Sequence, residues 1–149
     1  MSETAKAARA VLRAGRLGTF GAVDFETGGP YLSLANYVCT DGGHPLFLFS
    51  RLARHTKCLL ADARASLLVV ENLPKEGDPL TGLRATFMGR ARQVAAGPVA
   101  EAYLAKHPYA GAYAGFGDFS FWMLEPELVH IVGGFGRIET LKAADVLGA

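Results

Sequence analysis

The sequence predicts a mainly β fold with peripheral helices, an antiparallel barrel of about six to seven strands. Three observations lead there. The apolar segments are strand-sized, most are joined by hairpin-length turns rich in Gly, Pro and Asp, and only three stretches have helical spacing or composition. A doubly wound parallel sheet would need a crossover helix between successive strands, and most connections here are too short for one.

Taken in order, Ser2 is placed to cap a helix whose Ala5, Ala8, Val11 and Leu12 form one apolar stripe, with Gly15 as its stop. Leu17–Val23 and Tyr31–Val38 read as two antiparallel strands around a bend at Gly28-Gly29-Pro30. In the second, Leu32, Leu34 and Val38 alternate with Tyr31, Ser33, Ala35 and Tyr37. Asp41-Gly42-Gly43 turns the chain into a third strand at Leu46–Phe49. Leu52 to Asp62 has helical composition, and a strand resumes at Ala65–Val70. Pro74, Gly77, Pro79 and Gly82 mark 72–82 as a loop before a long strand over Leu83–Val94, in which Gly89 suits a bulge. A third helix is expected from Pro98 to His107, with Pro108 just past its end. Phe119–Leu124 and Leu128–Val132 read as the last two strands, divided by a turn at Glu125-Pro126-Glu127. Gly133-Gly134-Phe135-Gly136-Arg137 reads as a tight turn that ends the sheet.

The 149 residues suit one domain over 1–149, and 50% hydrophobic against 19% charged residues leaves little polar covering. A buried partner surface is therefore expected. Fifteen Lys and Arg against 14 Asp and Glu argue against a nucleic-acid binder, which carries a basic excess. The longest apolar runs, Pro45–Phe49 and Ser66–Val70, fall far short of the roughly 20 residues a membrane helix needs. The N-terminus lacks the apolar stretch of a signal peptide, so the expected compartment is the cytoplasm. Cys39 and Cys58 form no CxxC pair and read as reduced structural thiols, and the histidines at 44, 55, 107 and 130 have no metal-ligand spacing. Signatures of zinc hydrolases, α/β-hydrolases and P-loop enzymes are missing.

The most informative stretch is the strand-to-helix passage Phe49-Ser50-Arg51-Leu52-Ala53-Arg54-His55-Thr56-Lys57. Cations at a helix N-terminus oppose the helix dipole, whereas an anion there reverses the sign. Two readings stand: an anion cradle built from Ser50, Arg51, Arg54, Thr56 and Lys57, or a helix capped by Ser50 with solvated cations. Arg84 and Arg90 share one strand face with Thr86 and Met88, either to hold a polar ligand group or as rim residues. The aromatics of Phe116 to Trp122 are either core or, beside Gly115 and Gly117, a platform for a planar ligand. His130 shares a face with Leu128 and Val132 and reads as a hydrogen-bonded core histidine.

Together Tyr31-Leu32-Ser33-Leu34, the run from Pro45 to Lys57 and Asp62-Ala63-Arg64-Ala65-Ser66-Leu67-Leu68 resemble the FMN-binding split-barrel family of pyridoxamine 5′-phosphate oxidase. Within it, the Gly115 to Phe119 and Gly133 to Gly136 strings look like the haem-utilisation proteins of HugZ and HutZ type. The resemblance covers roughly residues 5–137 and implies a split β-barrel homodimer with FMN at the subunit interface. It implies phosphate contacts from Ser50, His55, Thr56 and Lys57, with Phe49 and Arg54 also at the cofactor site, a flavin ring along Ser33, Leu34 and Ala35, Arg84 near the ring or ribityl chain, and Trp122 beside it from the partner. Classical family members carry an Arg-x-His pair where Ile138-Glu139-Thr140 stands here, which argues against vitamin B6 oxidation. No His follows His130, which argues against a C-terminal haem ligand. The implied function is an FMN-dependent oxidoreductase of unidentified substrate. Its alternatives are a haem binder or haem-degrading protein using the same cleft, with His130 or an external ligand, and a non-enzymatic flavin-binding dimer.

Overall fold

The structure is a computed structural model that describes every residue except Asn72, Gly134, Phe135 and Ala149. Gly134 and Phe135 of the glycine-rich string therefore lie outside the described residues, as does Asn72 of the 72–82 loop.

Helix α1 (Glu3–Ala14) begins where the Ser2 hydroxyl accepts a hydrogen bond from the Ala5 amide at 3.1 Å, and it buries Ala5, Ala8 and Leu12. Strands β1 (Leu17–Val23) and β2 (Pro30–Asn36) form the predicted hairpin, and β3 (Val38–Cys39) leads through a turn into β4 (Pro45–Ser50). Helix α2 (Arg54–Ala61), β5 (Arg64–Val70), β6 (Arg84–Val94) and helix α3 (Gly97–Lys106) follow. The chain closes with β7 (Phe119–Gly133), β8 (Arg137–Lys142) and helix α4 (Ala143–Leu147).

All pairings are antiparallel, in the order β2-β1-β5-β6-β7-β4-β3, and β8 also pairs with β7. This is the expected mainly β split barrel. One edge of β7 is paired with β6 along most of its length. The other edge is shared, with Phe119–Met123 on β4 and Leu128–Gly133 on β8.

The sheet's curl rests on a bulge that corrects the expected turn at Glu125-Pro126-Glu127. These residues stay inside one 15-residue strand, and the register to β6 shifts between Met88 and Gly89. Pro126 has no N–H to give a ladder, which a bulge tolerates. A Cβ on Gly89 would collide with the Glu125 carbonyl. The extra residue also changes which side chains face in: Trp122 and Leu124 before it, Val129 and Ile131 after it. That break in alternation is why one strand reads as two.

The second correction concerns the C-terminus. The sheet does not end at Gly133, because β8 returns along β7 from Arg137 and α4 buries Val146 and Leu147. Among the described residues three predicted helices become four, and the strand count rises to eight with β3 and β8. Strand β8 is mostly exposed, and its two apolar residues, Ile138 and Leu141, fall three apart and break alternation, a weak strand signal.

The main core lies between the concave side of the sheet and α1, with Phe20, Phe47, Phe87, Leu67 and Ile131 fully buried. A smaller cluster under α3 holds Leu46, Leu48, Tyr103 and Phe121. Strand β4 is thus covered on both faces, which explains its uninterrupted apolar run. Buried His107 ties the two regions: its Nε2–H donates to the Tyr37 carbonyl at 2.7 Å and its Nδ1 accepts from Tyr109 at 2.6 Å. No helix among the described residues is long and apolar enough to cross a membrane.

Candidate functional site

Because strand side chains alternate, filling the barrel interior sends the other half of each strand outward. Two neighbouring rows cross that outer face. One runs Leu34, Thr19, Leu68, Thr86, His130, Thr140; the next runs Leu32, Gly21, Ser66, Met88, Leu128, Lys142. Leu32 and Leu34 are 66% and 72% exposed, and Leu68, Val70, Leu128 and Ile138 are exposed beside them. An exposed apolar patch on this scale marks an interaction or ligand surface.

A groove of about 500 Å³ opens on this face between the β1–β2 hairpin tip and the β6–β7 bulge, lined by Tyr31, Leu32, Ser66, Met88 and Leu128. Its rim carries Arg64, paired with Asp62 at 2.7 Å, and Arg90, held loosely by Glu127 at 3.7 Å. The Arg64 guanidinium keeps the Asp62 carboxyl down at about 2.

Two residues along β7 from Leu128 stands His130, with its Nδ1 2.8 Å from the Thr140 hydroxyl. That bond leaves Nε2 as the ring nitrogen open to a ligand. His130 does share a face with Leu128 and Val132, but the face is the outer one, so it is not a core histidine.

The predicted cradle at the start of α2 is organised differently from expectation. The helix starts at Arg54, and its cap residue, Ala53, has no side-chain cap; Ser50 instead accepts from the Leu52 amide one turn earlier. Arg54 donates from Nε to Asp24 Oδ1 at 2.8 Å and from a terminal nitrogen to Oδ2 at 3.0 Å, and pairs with Glu26 at 2.9 Å. The rings of Phe25 and Tyr31 lie 5.0 and 5.8 Å from its guanidinium carbon. Asp24 is only 6% exposed, also accepts from the amides of Glu26 and Thr27 and the Thr27 hydroxyl, and is held near 2, chiefly by Arg54. The Ser50 hydroxyl donates to Asp118 at 3.0 Å, and the Thr56 hydroxyl donates to the Ser50 carbonyl at 2.6 Å.

His55 turns inward. Its ring centre lies 3.9 Å from that of Phe49, its Nδ1 is 3.5 Å from the Ser33 hydroxyl, and its buried Nε2 has no partner. Burial pushes its pKa down, which keeps the imidazole neutral. Ala35 and Phe49 are core residues, whereas Leu34 points outward and Lys57 is exposed. The Arg84 guanidinium is pinned to the carbonyls of Leu80 and Gly82, just before its strand. Trp122, expected to reach across to a partner's ligand, is 4% exposed inside its own core, with its Nε1 unpartnered. Of the predicted set, Ser33, Phe49 and His55 lie together, Thr56 is hydrogen-bonded to Ser50, and Ala35, Phe49 and Trp122 share the main core.

Sequence reasoning missed Asp24, Glu26 and Thr140. An Asp followed three residues later by Thr before a Gly-Gly bend is a legible turn signature, but its pairing with Arg54 is a tertiary contact 30 residues away. No group of three or more His, Cys, Asp or Glu that could hold a metal ion occurs among the described residues.

Comparison with known proteins matches residues 1–146 to the family described as CREG, beta-barrel. The chain is 42% identical over 110 residues to the non-canonical heme oxygenase HOZ, chloroplastic, of Arabidopsis thaliana, covering 72% of this chain and 33% of that protein. It superposes on the heme binding protein from Mycobacterium smegmatis with a TM-score of 0.88 at 31% identity, covering 100% of this chain and 62% of the other. HutZ, the heme storage protein from Vibrio cholerae, shares the fold with a TM-score of 0.63 at 21% identity, over 83% of this chain and 89% of that one. The chain thus spans a third of HOZ and less than two thirds of the mycobacterial protein.

Proposed function

The chain belongs to the CREG β-barrel family, and from that premise we propose that it binds haem on the outer face of the sheet, with His130 as the iron ligand and a second copy of the chain closing the cleft. The observation that carries this reading is the His130–Thr140 contact within an apolar surface. A haem-ligating imidazole needs one nitrogen free and the other held, and apolar walls suit the porphyrin. The names of the mycobacterial relative and of HOZ support haem as the ligand class.

The residues present fit the group. His130 offers the nitrogen, while Leu68, Val132, Met88 and Leu128 would cover the ring and exclude water. Arg90, whose ion pair is long and exposed, is the cation nearest to release for a propionate. Bound haem would supply the redox and oxygen chemistry of its iron, and the chain's part is to bind, orient and shield it. Exposed Leu32 and Leu34 extend the surface beyond the groove, so a second copy would bury what one chain leaves open.

Titration with haemin tests the reading. A Soret band that saturates with haemin and shifts or vanishes in His130→Ala is the expected result; no spectral change in the wild-type protein would sink the reading. Identity to HOZ favours a second step, degradation of the bound haem. Loss of the Soret band when the complex is given ascorbate in air, with release of iron, is its measurement. The flavin-dependent oxidoreductase suggested by the split barrel is the rival, and adding FMN to the same protein separates the two by the flavin spectrum.

A further inference from the structure

We infer that this chain has closed the flavin-phosphate position of its fold with its own carboxylates, so that Asp24 and Glu26 are specificity residues that turn FMN away. The inference is independent of haem binding. It rests on how the side chains of Ser50, Arg54 and Thr56 at the start of α2 are already committed.

A phosphate seat needs free donors and uncompensated positive charge. Here the Arg54 charge is met by two carboxylates, with two of its nitrogens on Asp24 and the third on Glu26, and two aromatic rings flank its plane. The hydroxyl protons of Ser50 and Thr56 go to Asp118 and to the Ser50 carbonyl. His55, neutral and packed on Phe49, presents no cation. Of the expected set exposed Lys57, with neighbouring Arg51, remains to meet a dianion. Asp24 imitates the phosphate it displaces: one oxygen accepts from Arg54, and the other from Arg54, two backbone amides and a hydroxyl. An incoming phosphate would have to break this set and then bear the repulsion of the carboxylates it freed.

The test is a titration of the purified protein with FMN, riboflavin and inorganic phosphate, followed by flavin fluorescence quenching and calorimetry. Wild type is expected to bind FMN no more tightly than riboflavin. Asp24→Asn with Glu26→Gln should strengthen FMN binding by about tenfold or more while riboflavin changes little, since only the phosphate gains from an unpaired Arg54. Asp24 also organises its turn, so Glu26→Gln alone and Asp118→Asn, which leave that turn intact, are measured beside the double variant. A smaller gain of the same sign is expected from each. Wild-type FMN binding well above that of riboflavin overturns the inference, as does a folded set of variants without any gain. Haemin is titrated separately: a wild type that takes up neither ligand would end the haem reading and leave this one standing.

Discussion

His130 Nδ1 lies 2.8 Å from the Thr140 hydroxyl, across the directly paired positions of β7 and β8. Strand β8 therefore does more than extend the sheet, because it sets which imidazole nitrogen is left open on the outer face. Replacing Thr140 with Val keeps the β-branched shape and removes the partner. Haemin affinity should fall by about tenfold to a hundredfold, with a shifted Soret maximum, and Thr140→Ser should restore both. A Val variant identical to wild type in affinity and spectrum would remove Thr140 from the site.

The bulge gives a stability prediction. Gly89→Ala pushes a Cβ into the Glu125 carbonyl, which belongs to the opposing backbone and cannot rotate away. Unfolding in urea should show a loss of about 2–4 kcal/mol, near the upper end for single substitutions. A loss below half a kcal/mol would mean the strands separate there without strain.

His55 predicts a pH dependence. Burial lowers its folded-state value below the ordinary 6.5, so the unfolded chain takes up the proton first. The stability tied to neutral His55 is present above about 6.5 and lost as pH falls below it. Thermal melts should show Tm dropping on that side, and His55→Leu should flatten the drop. Removing the unpartnered Nε2 should also raise stability at neutral pH by about 1 kcal/mol. An unchanged pH profile in the variant would assign the drop to another group.

The exposed leucines test the assembly. Leu34 points away from its own barrel, so Leu34→Glu should leave the melting temperature nearly unchanged while converting a dimer into monomers in sedimentation velocity. A wild type that sediments as a monomer at tens of micromolar would remove the second copy from the proposed cleft.

The secondary structure was largely legible because its signals are local. Ser2 caps α1, the alternation of β2 survives in the sheet, a strand does resume at β5, and Gly89 does mark a bulge. Where the sequence misleads, the deciding contact is distant. Pro126 reads as a turn until Gly89, 37 positions earlier, is opposite it, and the sheet reads as ended before β8 until β7 pairs with it.

By itself, then, the sequence determined a mainly β architecture, the strand-to-helix passage as the place where charge gathers, and an apolar content too high for one chain to hide. Tertiary structure alone decided what the charge and the apolar surplus do. Local spacing shows that Arg54 is cationic but not that Asp24 and Glu26 neutralise it, because ion pairing depends on distance in space. Nor does alternation say which side of a sheet faces in: only closure of the barrel put Leu32, Leu34 and His130 outside and Trp122 within.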